Sequence, residues 1–211
     1  MINISVINPN SSSQVTQTIK DSASRLNHSV NYKINCYKLD KSPEGIETDD
    51  HIKEVIPRIE EFIQENQADV YIIACFSDPG LKQIKNITDS KVIGIAEASY
   101  RKSISLEAKF GIVSILENSI IRHKKYLKEL GLLNWLAGDR SIGHGVNDLD
   151  NKEVYNSIFE TAKNLKNKDH AKAIILGCAG MCKYKIKLEK ELKLPVLDPV
   201  ETAISEVIRN Y

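Results

Sequence analysis

Two cysteines in this chain stand at the ends of matching apolar runs. Ala171-Lys-Ala-Ile-Ile-Leu-Gly-Cys178 aligns without a gap with Ala68-Asp-Val-Tyr-Ile-Ile-Ala-Cys75, so the two thiols are 103 positions apart. Ile174, Ile175 and Leu176 have the continuous apolar character of a strand covered on both faces. The small residues Gly177, Ala179 and Gly180 after them let the backbone turn tightly and come close to a ligand. A cysteine delivered to the carboxyl end of such a strand sits where open α/β sheets bind their ligands. A free thiol is a weak base with a pKa of about 8.5, and a helix start after each cysteine is expected to lower that value. Two thiols facing each other across a cleft have the geometry to take a proton from one face of a carbon and return one to the other. That is inversion by acid–base chemistry alone, with no cofactor and no metal.

The elements around these cysteines repeat as well. Residues 2 to 7 read as a first strand that stops at Asn8-Pro9-Asn10, since proline cannot donate to a central ladder. Ser11 with Gln14 fits a capping box, which predicts a helix to about Ala23 with its N–H groups pointing into the loop. A second strand is expected over Tyr32 to Leu39 and a surface loop over Lys41 to Gly45. An amphipathic helix comes next between His51 and Gln64, in which Pro57 makes a kink or marks the true start. A strand at 70 to 74 leads to Cys75, a short helix begins near Leu81, and a strand at Lys91 to Ile95 precedes Glu97. The pattern then restarts at Phe110-Gly-Ile-Val-Ser-Ile-Leu116, and Asn118-Ser119 comes after this strand as Asn10-Ser11 comes after the first. Residues 119 to 130 read as helix and Trp135 to Ile142 as strand. Val154, Tyr155, Ile158, Phe159, Ala162 and Leu165 mark a further helix. After Cys178 come a helix carrying Leu188 and Leu192, the strand Pro195-Val-Leu, Glu201 in the place of Glu97, and a last helix with Ala203, Ile204, Val207 and Ile208 on one face. The chain reads as two copies of a βαβαβαβα unit with a period of about 105 residues.

Composition narrows the partners. A formal net charge of +1, with 27% charged and 42% hydrophobic residues in 211, leaves no basic excess for a nucleic-acid backbone. No apolar run reaches the roughly 20 residues needed to span a bilayer, and Met1-Ile-Asn-Ile-Ser-Val-Ile lacks the pattern of a signal peptide. A cytoplasmic protein with no membrane partner is expected. The four cysteines, Cys36, Cys75, Cys178 and Cys182, are then thiols rather than a disulfide framework. Cys178 and Cys182 are four apart, but no nearby histidine pair completes a metal site. Cys36 reads as a core residue and His123 as a packed residue on a helix face. His144 could reach the cleft, and Asp78 and Glu97 could orient a thiol or cap a helix.

Asn8-Pro-Asn-Ser11, Ala74-Cys-Phe-Ser-Asp-Pro-Gly-Leu81, Val92-Ile-Gly-Ile-Ala-Glu-Ala98, Phe110-Gly-Ile-Val113 and Leu176-Gly-Cys-Ala-Gly-Met181 together resemble the hydantoin racemase branch of the aspartate/glutamate racemase superfamily, over nearly the whole chain. The resemblance implies two pseudo-symmetric three-layer α/β/α lobes with mainly parallel sheets and a site in the cleft between them. The first lobe would span residues 1 to 105, joined by the C-terminal helix 200 to 211, and the second residues 106 to 199. It also implies cofactor-independent racemisation of a 5-substituted hydantoin or of allantoin, with Cys75 and Cys178 as the two bases. Asn10, Ser11, Ser12, Phe76, Ser77, Asp78, Ser114, Ala179 and Gly180 would hold the substrate, in a homo-oligomer. The chain departs from the pattern at Ser77, where glycine is expected, and at Ser114-Ile115, where a polar pair is expected. A hydantoin suits weak thiol bases because its ring stabilises the carbanion better than a free carboxylate can. The alternatives are an aspartate or glutamate racemase, a maleate isomerase or an arylmalonate decarboxylase of the same superfamily, a non-catalytic two-lobed small-molecule binding protein, and a thiol redox pair.

Overall fold

The computed structural model describes residues 1–26, 31–151 and 153–210. The first half runs β1 (Ile2–Asn8), α1 (Ser13–Ser24), β2 (Tyr32–Lys38), α2 (Asp49–Glu65), β3 (Val70–Ile73), α3 (Leu81–Ile84), β4 (Lys91–Gly94) and α4 (Ile95–Ser105). The second runs β5 (Phe110–Ser114), α5 (Glu117–Glu129), β6 (Leu136–Ser141), α6 (Val154–Asn167), β7 (Ala173–Leu176), α7 (Lys185–Leu192), β8 (Val196–Leu197) and α8 (Pro199–Asn210). Each half builds one parallel four-stranded sheet, ordered β2-β1-β3-β4 and β6-β5-β7-β8, as the duplication predicts.

The strands are short and their side chains alternate between two packed layers. Ile4, Val6 and Ile72 face one core, while Ile7, Tyr71 and Ile73 face another formed with Val55, Ile59 and Ile63 of α2. The first of these cores is continuous with that of the second sheet, through Tyr100 and Phe110 to Ile112 and Ile174. Fully burying each such side chain contributes about 1.5–3 kcal/mol. Helix α8 packs on α4 and α1, and the Tyr32 hydroxyl donates to the Ile208 carbonyl (3.2 Å). Tyr211, expected in that last helix, lies outside the described residues.

Local chemistry moves two helix starts away from their sequence expectation. Ser12, not Ser11, caps α1, accepting from the Val15 N–H (3.2 Å). Asn10 Oδ1 accepts from the Ser12 N–H (2.9 Å) and from Asn8 Nδ2 (2.7 Å), and this side-chain turn uses up one residue before the helix can begin. Helix α2 starts behind Thr48 and runs through Pro57, so Pro57 does not mark its start. Pro57 lies on the exposed face, where the carbonyl it leaves without a donor can meet water, while Val55, Ile59 and Ile63 hold the buried face.

The halves differ in how they cap their last helix. In the second, Asp198 at the end of β8 accepts from the N–H groups of Val200 (2.8 Å) and Glu201 (3.0 Å) and so caps α8 itself. In the first, the corresponding place is Gly94, and the cap comes from another loop. The Asp78 carboxylate accepts from the N–H groups of Ala96 (3.0 Å) and Glu97 (2.8 Å). A Cβ on Gly94 would stand 2.2 Å from the Asp78 carboxyl carbon. Asp78 itself has φ of 42°, in the left-handed region that aspartate tolerates better than most residues. Gly94→Ala is therefore expected to cost about 2–4 kcal/mol in urea unfolding, by displacing a buried charge from its donors. Adding Asp78→Ala to it should cost less than the sum of the two single losses, since both remove the same cap.

Candidate active site

Strand order reverses between β1 and β3 in the first sheet and between β5 and β7 in the second, so each sheet opens a crevice beyond its carboxyl ends there. The ladder carries one residue past each third strand, with Ala74 N–H donating to the Ile7 carbonyl and Gly177 N–H to the Val113 carbonyl (both 2.8 Å). Cys75 and Cys178 come next. At Gly177 only glycine fits, because a Cβ would lie 2.6 Å from the Val113 carbonyl oxygen.

Both thiols border one pocket between the halves. Its floor and walls are Asn10, Val15, Ala74, Phe76, Ser77, Ile115, Ser119, His123, Gly177 and Ala179, and Ile46 and Val146 cover it. The covered cavity measures about 30 Å³, room for about one or two waters. The cover is a strap, residues 39 to 48, that leaves the first half and fastens to the second. Glu47 Oε1 accepts from the Val146 N–H (2.6 Å), and the Glu47 carbonyl accepts from Asn118 (2.9 Å) and Arg122 (3.0 Å). Asn147 donates to Glu44 (2.9 Å). A polar groove adjoins the pocket past Val15 and Val146, lined by Ser11, Ser12, Gln14, Thr18, Glu44, Asn147, Asp150 and Gly180.

The nine residues expected to hold a substrate thus separate. Asn10, Phe76, Ser77 and Ala179 line the thiol pocket, and Ser11, Ser12 and Gly180 line the outer groove. Asp78 and Ser114 line neither. Asp78 is turned behind the loop to cap α4 and also accepts from the Tyr126 hydroxyl (3.3 Å). Ser114 is fully buried beneath His123, bonded to it and to Asp139. His144 lies against Ser157 (3.5 Å) and does not border the pocket. His123 is packed, as the sequence reading has it, and is also part of the pocket wall. Its one sequence signal is the Asn118-Ser119 pair that mirrors Asn10-Ser11, since Ser119 begins the helical turn that brings His123 to the pocket. Ile46 and Val146 carried no signal.

The thiols are not acidified as the sequence suggested. Cys75 leads into a turn, with α3 only four residues long and starting at Leu81, and Cys178 leads into a 3-10 segment at Ala179–Tyr184. Neither supplies the dipole of a long helix. Burial outweighs the remaining donors and pushes Cys75 up to about 12, against a hydrogen bond from the Ser77 N–H. Burial likewise pushes Cys178 up to about 11, against the Gly180 and Met181 N–H groups. Each pocket thiol is half-buried, and the charge of Cys178 would further raise Cys75, so the two are close enough to interact. Cys182 is fully enclosed and bonded to Asp198, and Cys36 sits on β2, distant from the pocket.

The family model described as Asp/Glu/Hydantoin racemase matches residues 4–207. A hydantoin racemase of Paenarthrobacter aurescens is 38% identical over 95% of this chain and 87% of its own length. A hydantoin racemase of Pseudomonas sp. (strain NS671) is 32% identical over 95% of this chain and 82% of its own. The solved allantoin racemase of Klebsiella pneumoniae superposes with a TM-score of 0.90 at 30% identity, covering 99% of this chain and 87% of the other.

Thiols made less acidic by burial are alkylated slowly. With iodoacetamide near neutral pH, Cys75 and Cys178 of the folded protein should react about 100-fold more slowly than in the urea-unfolded chain, and Cys182 more slowly still. Their rates should climb about tenfold per pH unit between pH 7 and 9, as read by peptide mass spectrometry.

Proposed function

We propose that this chain, which belongs to the Asp/Glu/hydantoin racemase family, inverts C5 of a hydantoin ring by passing protons between Cys75 and Cys178. The observation that carries this reading is that the two thiols end equivalent strands of the two sheets and border a single pocket. One cysteine as thiolate takes the C5 proton, and the electron pair moves onto the neighbouring carbonyl as an enolate. The other, as thiol, returns its own proton to the opposite face of C5, and the enolate electrons reform the carbon–hydrogen bond. The pair ends with thiol and thiolate exchanged, ready for the other enantiomer. A thiol pushed up by burial is scarce as thiolate but strong as a base once formed, which suits a weakly acidic C–H.

Pocket and groove also favour a substrate class. Phe76, Ile115, Ile46 and Val146 suit a flat, uncharged ring. The terminal nitrogens of Arg122 bind Asp49, Ser119 and the Glu47 carbonyl, which argues against a free amino-acid carboxylate as substrate. The outer groove, rich in hydroxyl, amide and carboxylate groups, suits a polar C5 substituent such as the ureido group of allantoin better than an aromatic one.

Optical-rotation decay of enantiopure allantoin and of a 5-alkyl hydantoin tests the reading. Cys75→Ser and Cys178→Ser should each lose at least about 100-fold in racemisation, while each keeps solvent deuterium exchange for one enantiomer only. Equal activity in wild type and both variants would overturn it. Because burial raises both thiols, kcat/KM should rise with pH through the neutral range, with no plateau below about pH 10.

A further inference from the structure

His123 is held at the pocket wall by a network that packing alone does not require. Its ring is 3% exposed and meets Phe76 edge-on, with centroids 5.1 Å apart. Nδ1 lies 2.9 Å from Asp139 Oδ2 and 3.1 Å from Ser114 Oγ, and the Ser114 hydroxyl donates to the other oxygen of Asp139. One oxygen of Asp139 thus accepts from Ser114 and the other faces Nδ1, an arrangement that suits a carboxylate opposite a ring with its proton on Nδ1. Its side chain has no exposure to solvent.

A carboxylate ion in that position requires a compensating charge close by. Arg140, the next residue, turns to the other side of β6 and pairs with Asp169 (2.9 Å). Among the described residues the only basic side chain paired with Asp139 is the imidazole of His123, which supplies that charge when protonated. With Nδ1–H committed to Asp139, a charged ring carries its second proton on Nε2. That nitrogen has no hydrogen-bond partner among the described residues, and it is not among the atoms sealed from solvent without one. It belongs to a ring that borders the same pocket as Cys75 and Cys178.

We infer that His123 is a catalytic residue: its Nε2–H donates to the substrate carbonyl oxygen and stabilises the enolate formed when either thiolate takes the C5 proton, with Asp139 and Ser114 as positioning residues. The inference rests on the racemase reading above and adds to it a donor for the charge that the two thiols leave on oxygen. A fixed donor in a site closed to water stabilises charge that develops in the transition state more than the neutral carbonyl of the ground state. One donor at C5's neighbouring carbonyl serves both directions, because the enolate is common to them.

The experiment has a kinetic arm and a spectroscopic arm. With an enantiopure hydantoin that the wild type racemises, His123→Leu should lower kcat about 100-fold and move KM less than about threefold. His123→Gln, which can offer an amide N–H from a similar position, should recover about a tenth of the wild-type rate. A kcat within about threefold of wild type in His123→Leu, with racemisation still dependent on both cysteines, overturns the inference and leaves the racemase reading intact. Loss of racemisation in the wild type itself on every ring tested would instead overturn that reading. The second arm needs neither substrate nor a variant that folds: nitrogen-15 NMR of the wild-type imidazole at neutral pH should show both ring nitrogens protonated. A bare Nε2 overturns the inference. In Asp139→Asn, where the compensating charge is gone, Nε2 should lose its proton.

Discussion

Parallel strands cannot be joined by tight turns, and from that constraint most of this molecule derives. Each connection must travel back along the sheet through a helix, and the handedness of such crossovers is almost invariant. When the chain steps outward from β1 to β2 and then returns across β1 to β3, the loops beyond the two inner strands diverge and leave a crevice. The second half repeats the sequence of steps. The helix-covered faces of the two halves share one continuous apolar core, so neither crevice is free to drift relative to the other. The two cysteines occupy the same pocket because the same wiring was executed twice.

Within that frame, the site balances desolvation against backbone donors. The turns after β3 and β7 bring N–H groups to each sulfur, but they are too short to add up to a helix dipole. The low-dielectric surroundings dominate, and the thiols stay protonated and weakly reactive in the covered state. The carboxylates nearby solve the same problem by different means. Asp78 gathers two backbone N–H groups and a phenol, and burial still pushes it up to about 7, whereas Asp139 is matched to an imidazole and a hydroxyl. In each case a buried acceptor is surrounded by donors before it is surrounded by apolar atoms.

Much of the fold was legible because its signals are local. Apolar runs such as Val70–Ile73 and Ala173–Leu176 end in small residues in both copies, and the repeat itself announces the topology. Pro57 and Ser11 misled for opposite reasons. A proline on an exposed face costs a helix little when the buried face continues, and a serine triplet offers three caps among which only the Asn10 side chain chooses. The pocket lining was legible at the two cysteines and at Asn10, Phe76, Ser77 and Ala179, which directly flank strand ends. Not legible were Ile46, Val146 and His123, which reach the pocket from loops and from an element far along the chain, and Asp139, which meets His123 away from the pocket lining. No spacing rule connects a residue at 123 with one at 139 when one lies on α5 and the other on β6. Asp78 offered two readings, a pocket group or a helix cap, and the place that Gly94 leaves empty decides for the cap.

The strap over the pocket has a consequence for acidity. Ile46 and Val146 belong to the lining that buries the sulfurs, and that burial is what holds the thiols high. Lifting the strap to admit a ring the size of a hydantoin would rehydrate the sulfurs and make ionisation less costly. A thiolate formed with the strap lifted would become a stronger base once it was covered again. The hydrogen bonds of Glu47 and Glu44 that fasten the strap would then bear on thiol acidity as well as on the fold.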